Sequence, residues 1–288
     1  MILIDLHTHT TASDGTDAPA ELVRKAAATG LAALAVTDHD TVAGLAEAEE
    51  AGRDLGVPVV RGCELSTRTA DGEMHILGLW LPRDVRELEG LLLQLRARRL
   101  DRNEGILEKL RGLGFDIAMD DVLEHARGET VGRPHIARAM VTRGYVPSVS
   151  VAFKEYLGAQ GRAFLPKVVL EPEKAVRMLA GIGATVCLAH PLLSSKRPDR
   201  TWLEEFVRAL MPLGLSALEA WHSEQSAEQT GWCLSLARRL GLGVSGGSDY
   251  HGSNKPRLAL GTGYGNLRVD VGVLEDLLER RRRQGLPC

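Results

Sequence analysis

Short apolar runs alternate along this chain with helical stretches, and that alternation limits the possible fold more than any other feature. "ILIDL" reads as a strand, and "APAELVRKAAATG" follows as a helix with Pro19 near its first turn and Gly30 past its end. "LAALAVT" is a buried strand, "TVAGLAEAEEAGRDLG" a second helix from Thr41, and "VPVVRGCEL" a third strand. Near-continuous apolar strands joined by helices imply a parallel sheet with helices covering it. Two β-rich runs around Ala70-Asp71-Gly72 interrupt the pattern and read as a hairpin. The alternation then returns at "EPEKAVRMLAGIG", "TVCLAH", "WLEEFVRALMPLG", "LSALEAW", "SAEQTGWCLSLARRLG" and "LGVSGGSD". A terminal helix ends in Arg280–Arg283, where a run of cations suits a solvated helix C-terminus. These βα units are numerous enough to close a barrel, and in such barrels functional groups sit at the carboxyl ends of the strands.

The stretch from Asp84 to Gly161 has another character: helical, charged and poor in strands, as in "LEGLLLQLRARRLDRNEGILEKLRGLG" and "GRPHIARAMVTRG". It is expected to form a helical subdomain at 84–161, inserted into a barrel made of 1–83 and 162–288. The apolar share of 44% over 288 residues supplies a sizeable core. With 35 basic and 38 acidic residues, the chain has no global attraction to nucleic acid or an anionic membrane. Cys63, Cys187, Cys233 and Cys288 lack CxxC spacing, so zinc-finger and thioredoxin-type chemistry are excluded, and Cys63 and Cys187 read as small buried hydrophobes. No stretch reaches the ~18 apolar residues of a membrane span. "MILIDLH" lacks the pattern of a signal peptide, so the expected location is cytoplasmic.

Ligand-type residues recur where the apolar runs end. His7 and His9 follow "ILIDL", two apart and therefore on one side of a strand end. Asp38, His39 and Asp40 follow "LAALAVT", and Glu64 closes "VPVVRGC". His190 follows "TVCLA", Glu219 and His222 bracket the end of "LSALEAW", and Asp249 and His251 follow "LGVSGGS". His75 lies in the hairpin. A lone histidine is as often structural as functional, but seven of the nine histidines track strand ends, which points to a polynuclear metal site.

"DLHTHTTASDGT", "LAVTDHDTVAGL", "GCELST", "MHILGL", "LAHP" and "GSDYHG" resemble, in order, the motifs of the PHP (polymerase and histidinol phosphatase) family of metal-dependent phosphoesterases. The resemblance implies an α/β fold, a distorted seven-stranded, TIM-like β/α barrel. It implies three divalent ions, Mn²⁺ ahead of Fe²⁺ or Zn²⁺ for mixed imidazole and carboxylate ligands. His7, His9, Glu64 and Asp249 would hold the first; Glu64, His75 and His190 the second; Asp14, His39 and His251 the third. Asp249, His190 and Glu64 would carry the catalytic work at the bridge. Three such ions against the carboxylates of Asp14, Glu64 and Asp249 leave a positive field, which suits a phosphate monoester dianion better than a neutral amide.

"GRPHIARAMVTRGY" and "GSDYHGSNKP" resemble the family branch that removes the 3'-phosphate of nucleoside 3',5'-bisphosphates, some members of which trim short RNA from the 5' end. Its substrate is a small nucleotide or short RNA, with no membrane and no obligate protein partner. Arg133 and His135 would bind a second phosphate, although "GRPH" is also a helix start with Pro134 in its first turn. Lys167 and Lys255 are candidates to face the substrate, with a solvated lysine as the alternative. Trp221 and His222 stand where relatives carry a pair of tyrosines, so His222 either supports the ligands or touches the nucleobase. The rivals are a histidinol-phosphate phosphatase with the same metals, a catalytically silent module, and an amidohydrolase.

Overall fold

The computed structural model describes residues 1–70, 72–126, 131–166, 170–193 and 199–288. They form two compact units, Met1–Glu89 with Leu170–Cys288, and Gly90–Val169.

The first unit is built on seven strands that neighbour one another in chain order: β1 (Ile4–Asp5), β2 (Ala33–Val36), β3 (Val59–Thr69), β4 (Gly72–Leu79), β5 (Thr185–Ala189), β6 (Leu215–His222) and β7 (Gly243–Gly247). The sheet is mixed. β4 runs antiparallel to β3 and β5, and all other pairs are parallel. The hairpin at residues 70–72 is the cause: Thr69 lies opposite Gly72, while Asp71 falls outside the described residues. Pairing with β4 also carries β3 beyond Leu65, where its apolar run stops, so that Ser66 lies opposite His75. β1 is shorter than "ILIDL" because Leu3 makes only a bridge to Asp270.

The sheet curls until its first and last strands meet, a nearly closed barrel. The Leu6 N–H donates to Gly246 O at 3.1 Å, and the Asp249 N–H to His7 O at 2.9 Å. Gly247 permits that approach, since a Cβ there would lie 2.4 Å from His7 N. Ile4, Leu6, Ala33, Ala35, Leu77, Cys187 and Ala217 pack together as part of its core.

Helices alternate with these strands. α1 (Pro19–Thr29) stops at Gly30, which takes the left-handed φ of 73° that suits a glycine cap. α2 (Leu45–Leu55) begins at Leu45 rather than at Thr41, because Asp40 turns with φ 52° and the Thr41 hydroxyl accepts from the Ala43 N–H. α3 (Arg86–Gly112) is one continuous helix, and the boundary between the units falls inside it. No loop marks that boundary in the sequence, which is why the helical unit spans 90–169 where composition placed 84–161.

The helical unit continues with α4 (Met119–Leu123), α5 (Arg133–Thr142) and α6 (Val149–Ala152), around a core that includes Ile106, Leu110, Ile136, Met140 and Leu157. The first unit resumes with α7 (Pro172–Gly181), α8 (Arg200–Leu210), α9 (Ala227–Leu240) and α10 (Val271–Arg283). The run Arg280–Arg283, expected from its charge to be solvated, is so only in part, for Arg281 is buried. Its guanidinium donates to Gly183 O, Pro287 O and Thr185 Oγ1 and lies 5.3 Å from the centre of the Trp80 ring. These acceptors and the ring satisfy a charge that burial alone would expel. Among the described residues no helix is long and apolar enough to cross a membrane.

Candidate metal centre

The end of the barrel formed by the carboxyl ends of the parallel strands gathers the polar residues that the sequence singles out. His7 and His9 stand just past β1, His39 past β2, Glu64 within β3, His75 within β4, His190 past β5, and Asp249 and His251 past β7. His190 and Asp249 have left-handed backbone, φ 25° and 56°, which non-glycine residues hold only where the surroundings impose it.

Glu64 is the hub. Its Oε2 lies 3.3 Å from His7 Nε2, 3.3 Å from His9 Nε2 and 3.0 Å from His39 Nδ1. Its Oε1 lies 2.9 Å from His75 Nδ1 and 3.1 Å from His190 Nε2. Asp249 Oδ1 lies 3.2 Å from His9 Nε2 and 3.6 Å from His7 Nε2. Asp14 Oδ1 lies 3.3 Å from His251 Nε2, and the opposite ring nitrogen, Nδ1, is 2.8 Å from Asp249 O.

Burial opposes charge at His7, His9, Asp14, Glu64 and Asp249, and the neighbouring charges overcome it. Despite desolvation, the carboxylates of Glu219 and Glu64 hold the His7 pKa well above the usual imidazole value. Asp249 and Glu64 raise His9 to about 10 in the same way. Burial would raise the carboxyls of Asp14, Glu64 and Asp249, but the surrounding imidazoles hold all three well below the usual carboxylate range. The pocket thus rewards positive charge placed among its carboxylates.

A cation fits this pocket better than protons do. His7 Nε2, both nitrogens of His9 and Glu64 Oε2 are buried yet make no hydrogen bond. Such groups are costly unless something binds them. The His7 Nε2–Glu64 Oε2, His9 Nε2–Glu64 Oε2 and His9 Nε2–Asp249 Oδ1 separations of 3.3, 3.3 and 3.2 Å fall in the ~3.0–3.4 Å left between adjacent ligand atoms around an ion with bonds of ~2.1 Å. Among the described residues, four overlapping groups, each with its donor atoms within 4.8 Å of one another, could hold ions: His9, Asp14, His39 and His251; His7, Glu64 and His190; His7, His9 and Asp249; His39, Glu64 and His75. Together they comprise all nine side chains that the sequence motifs nominate as ligands. His7, His9, His39 and Glu64 each belong to two of these groups.

The PHP domain model matches residues 5–126. The 5'-3' exoribonuclease of Haemophilus influenzae is 34% identical over 247 residues, covering 86% of this chain and 89% of that protein. The 3',5'-nucleoside bisphosphate phosphatase of Chromobacterium violaceum is 32% identical over 278 residues, covering 96% and 93%. A solved structure from Bifidobacterium adolescentis, described by its name among the metal-dependent phosphoesterases, superposes with a TM-score of 0.83 at 34% identity and covers 96% of both chains. The chain belongs to the PHP family.

Of the remaining expected residues of this PHP protein, His222 and Lys255 lie beside Asp249. His222 is buried, with Nε2 3.5 Å from Asp249 Oδ2, and its Nδ1 accepts from the Glu224 N–H at 3.1 Å. Lys255 Nζ lies 2.6 Å from Asp249 Oδ2, so it is held by a carboxylate rather than simply solvated. Arg133 and His135 belong to the helical unit. There Arg133 donates to Leu157 O at 3.1 Å and lies near the Phe153 and Phe164 rings. His135 is buried at the start of α5, and its Nδ1 accepts from the Gly132 N–H at 3.0 Å. Lys167 lies outside the described residues.

Asp38 and Glu219, which the sequence marks only as polar residues at strand ends, and Asp5, which it does not mark, are buried carboxylates that brace the cluster. Asp38 accepts from Thr10 N, Thr10 Oγ1 and Ser13 Oγ, and so shapes the loop between His9 and Asp14. Asp5 accepts from the N–H groups of Ser248 and Gly261 and from Ser248 Oγ, which anchors the segment carrying Asp249. Glu219 contacts His7 and His190. Asp5 stands two residues before His7 in the same motif, the signal that could have marked it.

Proposed function

We propose that this PHP protein removes the 3'-phosphate from nucleoside 3',5'-bisphosphates to leave 5'-nucleotides, and that it trims short RNA from the 5' end. The observation that carries the reading is the nine-residue cluster opening onto a cleft of about 290 Å³ lined by His75, His190, Leu193, His222, Glu224 and Asp249. The names of the two relatives supply the substrate class. Neither is named for histidinol phosphate, which makes that the less favoured substrate.

In this reading three divalent ions, Mn²⁺ first, would be held by the nine clustered side chains and would supply Lewis acidity at phosphorus and a water of lowered pKa. The chain's own residues position and move protons. Glu64 presents one oxygen to each side of the cluster and joins the groups. Asp249 aims Oδ1 at the imidazoles and Oδ2 toward Lys255, which places a carboxylate where a proton can be accepted at the cleft wall. His190 borders the same cleft. Because the Glu224 N–H donates to His222 Nδ1, the ring carries its proton on Nε2, which faces Asp249 Oδ2 at 3.5 Å and so supports that carboxylate. Lys255 adds a cation beside it. Arg133 and His135 are assigned to a second phosphate on the "GRPH" resemblance, since guanidinium matches phosphate in a bidentate fork.

Purified protein with Mn²⁺ and adenosine 3',5'-bisphosphate is expected to release phosphate and 5'-AMP. On short 5'-phosphorylated RNA it is expected to release mononucleotides from the 5' end. A higher kcat/KM for histidinol phosphate would overturn the nucleotide assignment.

A further inference from the structure

Glu219 reaches two of the metal-type histidines from behind. Its Oε1 accepts from His7 Nδ1 at 2.9 Å, and its Oε2 accepts from the His190 backbone N–H at 2.7 Å. The side chain is fully buried on β6, at the register irregularity between Glu219 and Trp221. His7 follows β1 and His190 follows β5, so one carboxylate ties together ligands from separate walls of the barrel.

We propose that Glu219 is the positioning residue of the metal centre, fixing the His7 proton on Nδ1 so that Nε2 ligates, and holding the strained turn that presents His190. A neutral imidazole has one lone pair, and the partner of one nitrogen decides which nitrogen keeps it. His7 Nε2 is the atom that faces the cluster, 3.3 Å from Glu64 Oε2 and 3.6 Å from Asp249 Oδ1. An acceptor behind Nδ1 is what a ligating Nε2 requires. His190 has φ 25°, and Glu219 Oε2 receives its N–H. The inference rests on the metal-dependent reading of the site and is independent of which phosphate ester is cut.

The two oxygens cannot be replaced by an amide. Glutamine brings one acceptor and one NH₂ group to a place with two donors. If its oxygen takes the His190 N–H, its NH₂ faces His7 Nδ1 and drives the proton to Nε2, which then cannot ligate. If its oxygen takes His7, its NH₂ meets the His190 N–H and the turn loses its anchor. Either way one ligand is compromised, although the side chain has nearly the same size.

The test loads the full chain, labelled with ¹⁵N-histidine, with Zn²⁺ and reads the ring nitrogens by NMR. The His7 signals are identified by their loss in His7→Asn. Protonated Nδ1 and unprotonated Nε2 on His7 are expected. Glu219→Gln is expected to weaken Zn²⁺ affinity on the order of 10- to 100-fold in competition with a chelator. A wild-type His7 protonated on Nε2, or a Glu219→Gln protein that binds Zn²⁺ as tightly as wild type, would overturn the proposal. If Glu219→Gln fails to fold by circular dichroism, the wild-type spectrum decides alone. Neither readout uses a substrate, so this failure and a failure of the phosphatase reading are separable.

Discussion

Lys255 Nζ lies 2.6 Å from Asp249 Oδ2, while the other oxygen of that carboxylate faces His9 Nε2 at 3.2 Å. The ammonium thereby turns Asp249 so that one oxygen serves the cluster and the other the cleft. Lys255→Met keeps the apolar stem and removes the charge. It is expected to lower kcat/KM on the order of ten- to a hundred-fold with bound metal unchanged. Loss of metal in that variant would instead make Lys255 a support for Asp249 alone.

Glu64 stands among five imidazoles, those of His7, His9, His39, His75 and His190. Glu64→Ala is expected to abolish activity almost entirely, because it removes the one carboxylate shared by both sides of the cluster. Elemental analysis of wild type purified without chelator should find more than one transition-metal equivalent per chain, and fewer in the variant. A metal-free protein with full activity would refute both expectations.

Arg133 is the residue that tests the proposed second-phosphate contact. Arg133→Ala is expected to cost on the order of 2–4 kcal/mol in kcat/KM on a 3',5'-bisphosphate, and much less on a nucleoside 3'-monophosphate. Its bond to Leu157 O and its contacts with Phe153 and Phe164 provide the competing account. Equal losses on both substrates would assign Arg133 to packing within the helical unit.

Gly247 is where the barrel closes. An added Cβ would sit 2.4 Å from both His7 N and His7 Cβ, backbone and side chain of a ligand residue. Gly247→Ala is expected to destabilise the protein by about 1–3 kcal/mol, in the range of overpacked cores, and to lower metal content with it. Thermal unfolding with and without Mn²⁺ measures both effects. An unchanged melting temperature would show that closure does not depend on this glycine.

The residues of the candidate cluster were legible in the sequence because their signals are local. A strand has a period of two, so "HTH" puts two imidazoles on one side, and an apolar run that stops at His, Asp or Glu marks a strand end. Glu64 and His75 could be read the same way, as polar residues in otherwise apolar strands. The helices were legible from their periodicity and from proline and glycine at their ends, as at Pro19 and Gly30.

What the sequence by itself determined was therefore the strand–helix alternation and the residue types gathered at strand ends. The tertiary structure decided what stands behind them. Glu219 meets His7 across 212 residues of chain, Asp5 meets Ser248 across 243, and Arg281 meets Thr185 across 96. No periodicity encodes such pairs, because a charged residue in sequence looks the same whether it is solvated or buried against one partner. Only the closing of the barrel brings those partners within hydrogen-bonding distance, and short-range directional contacts then give each buried charge its role.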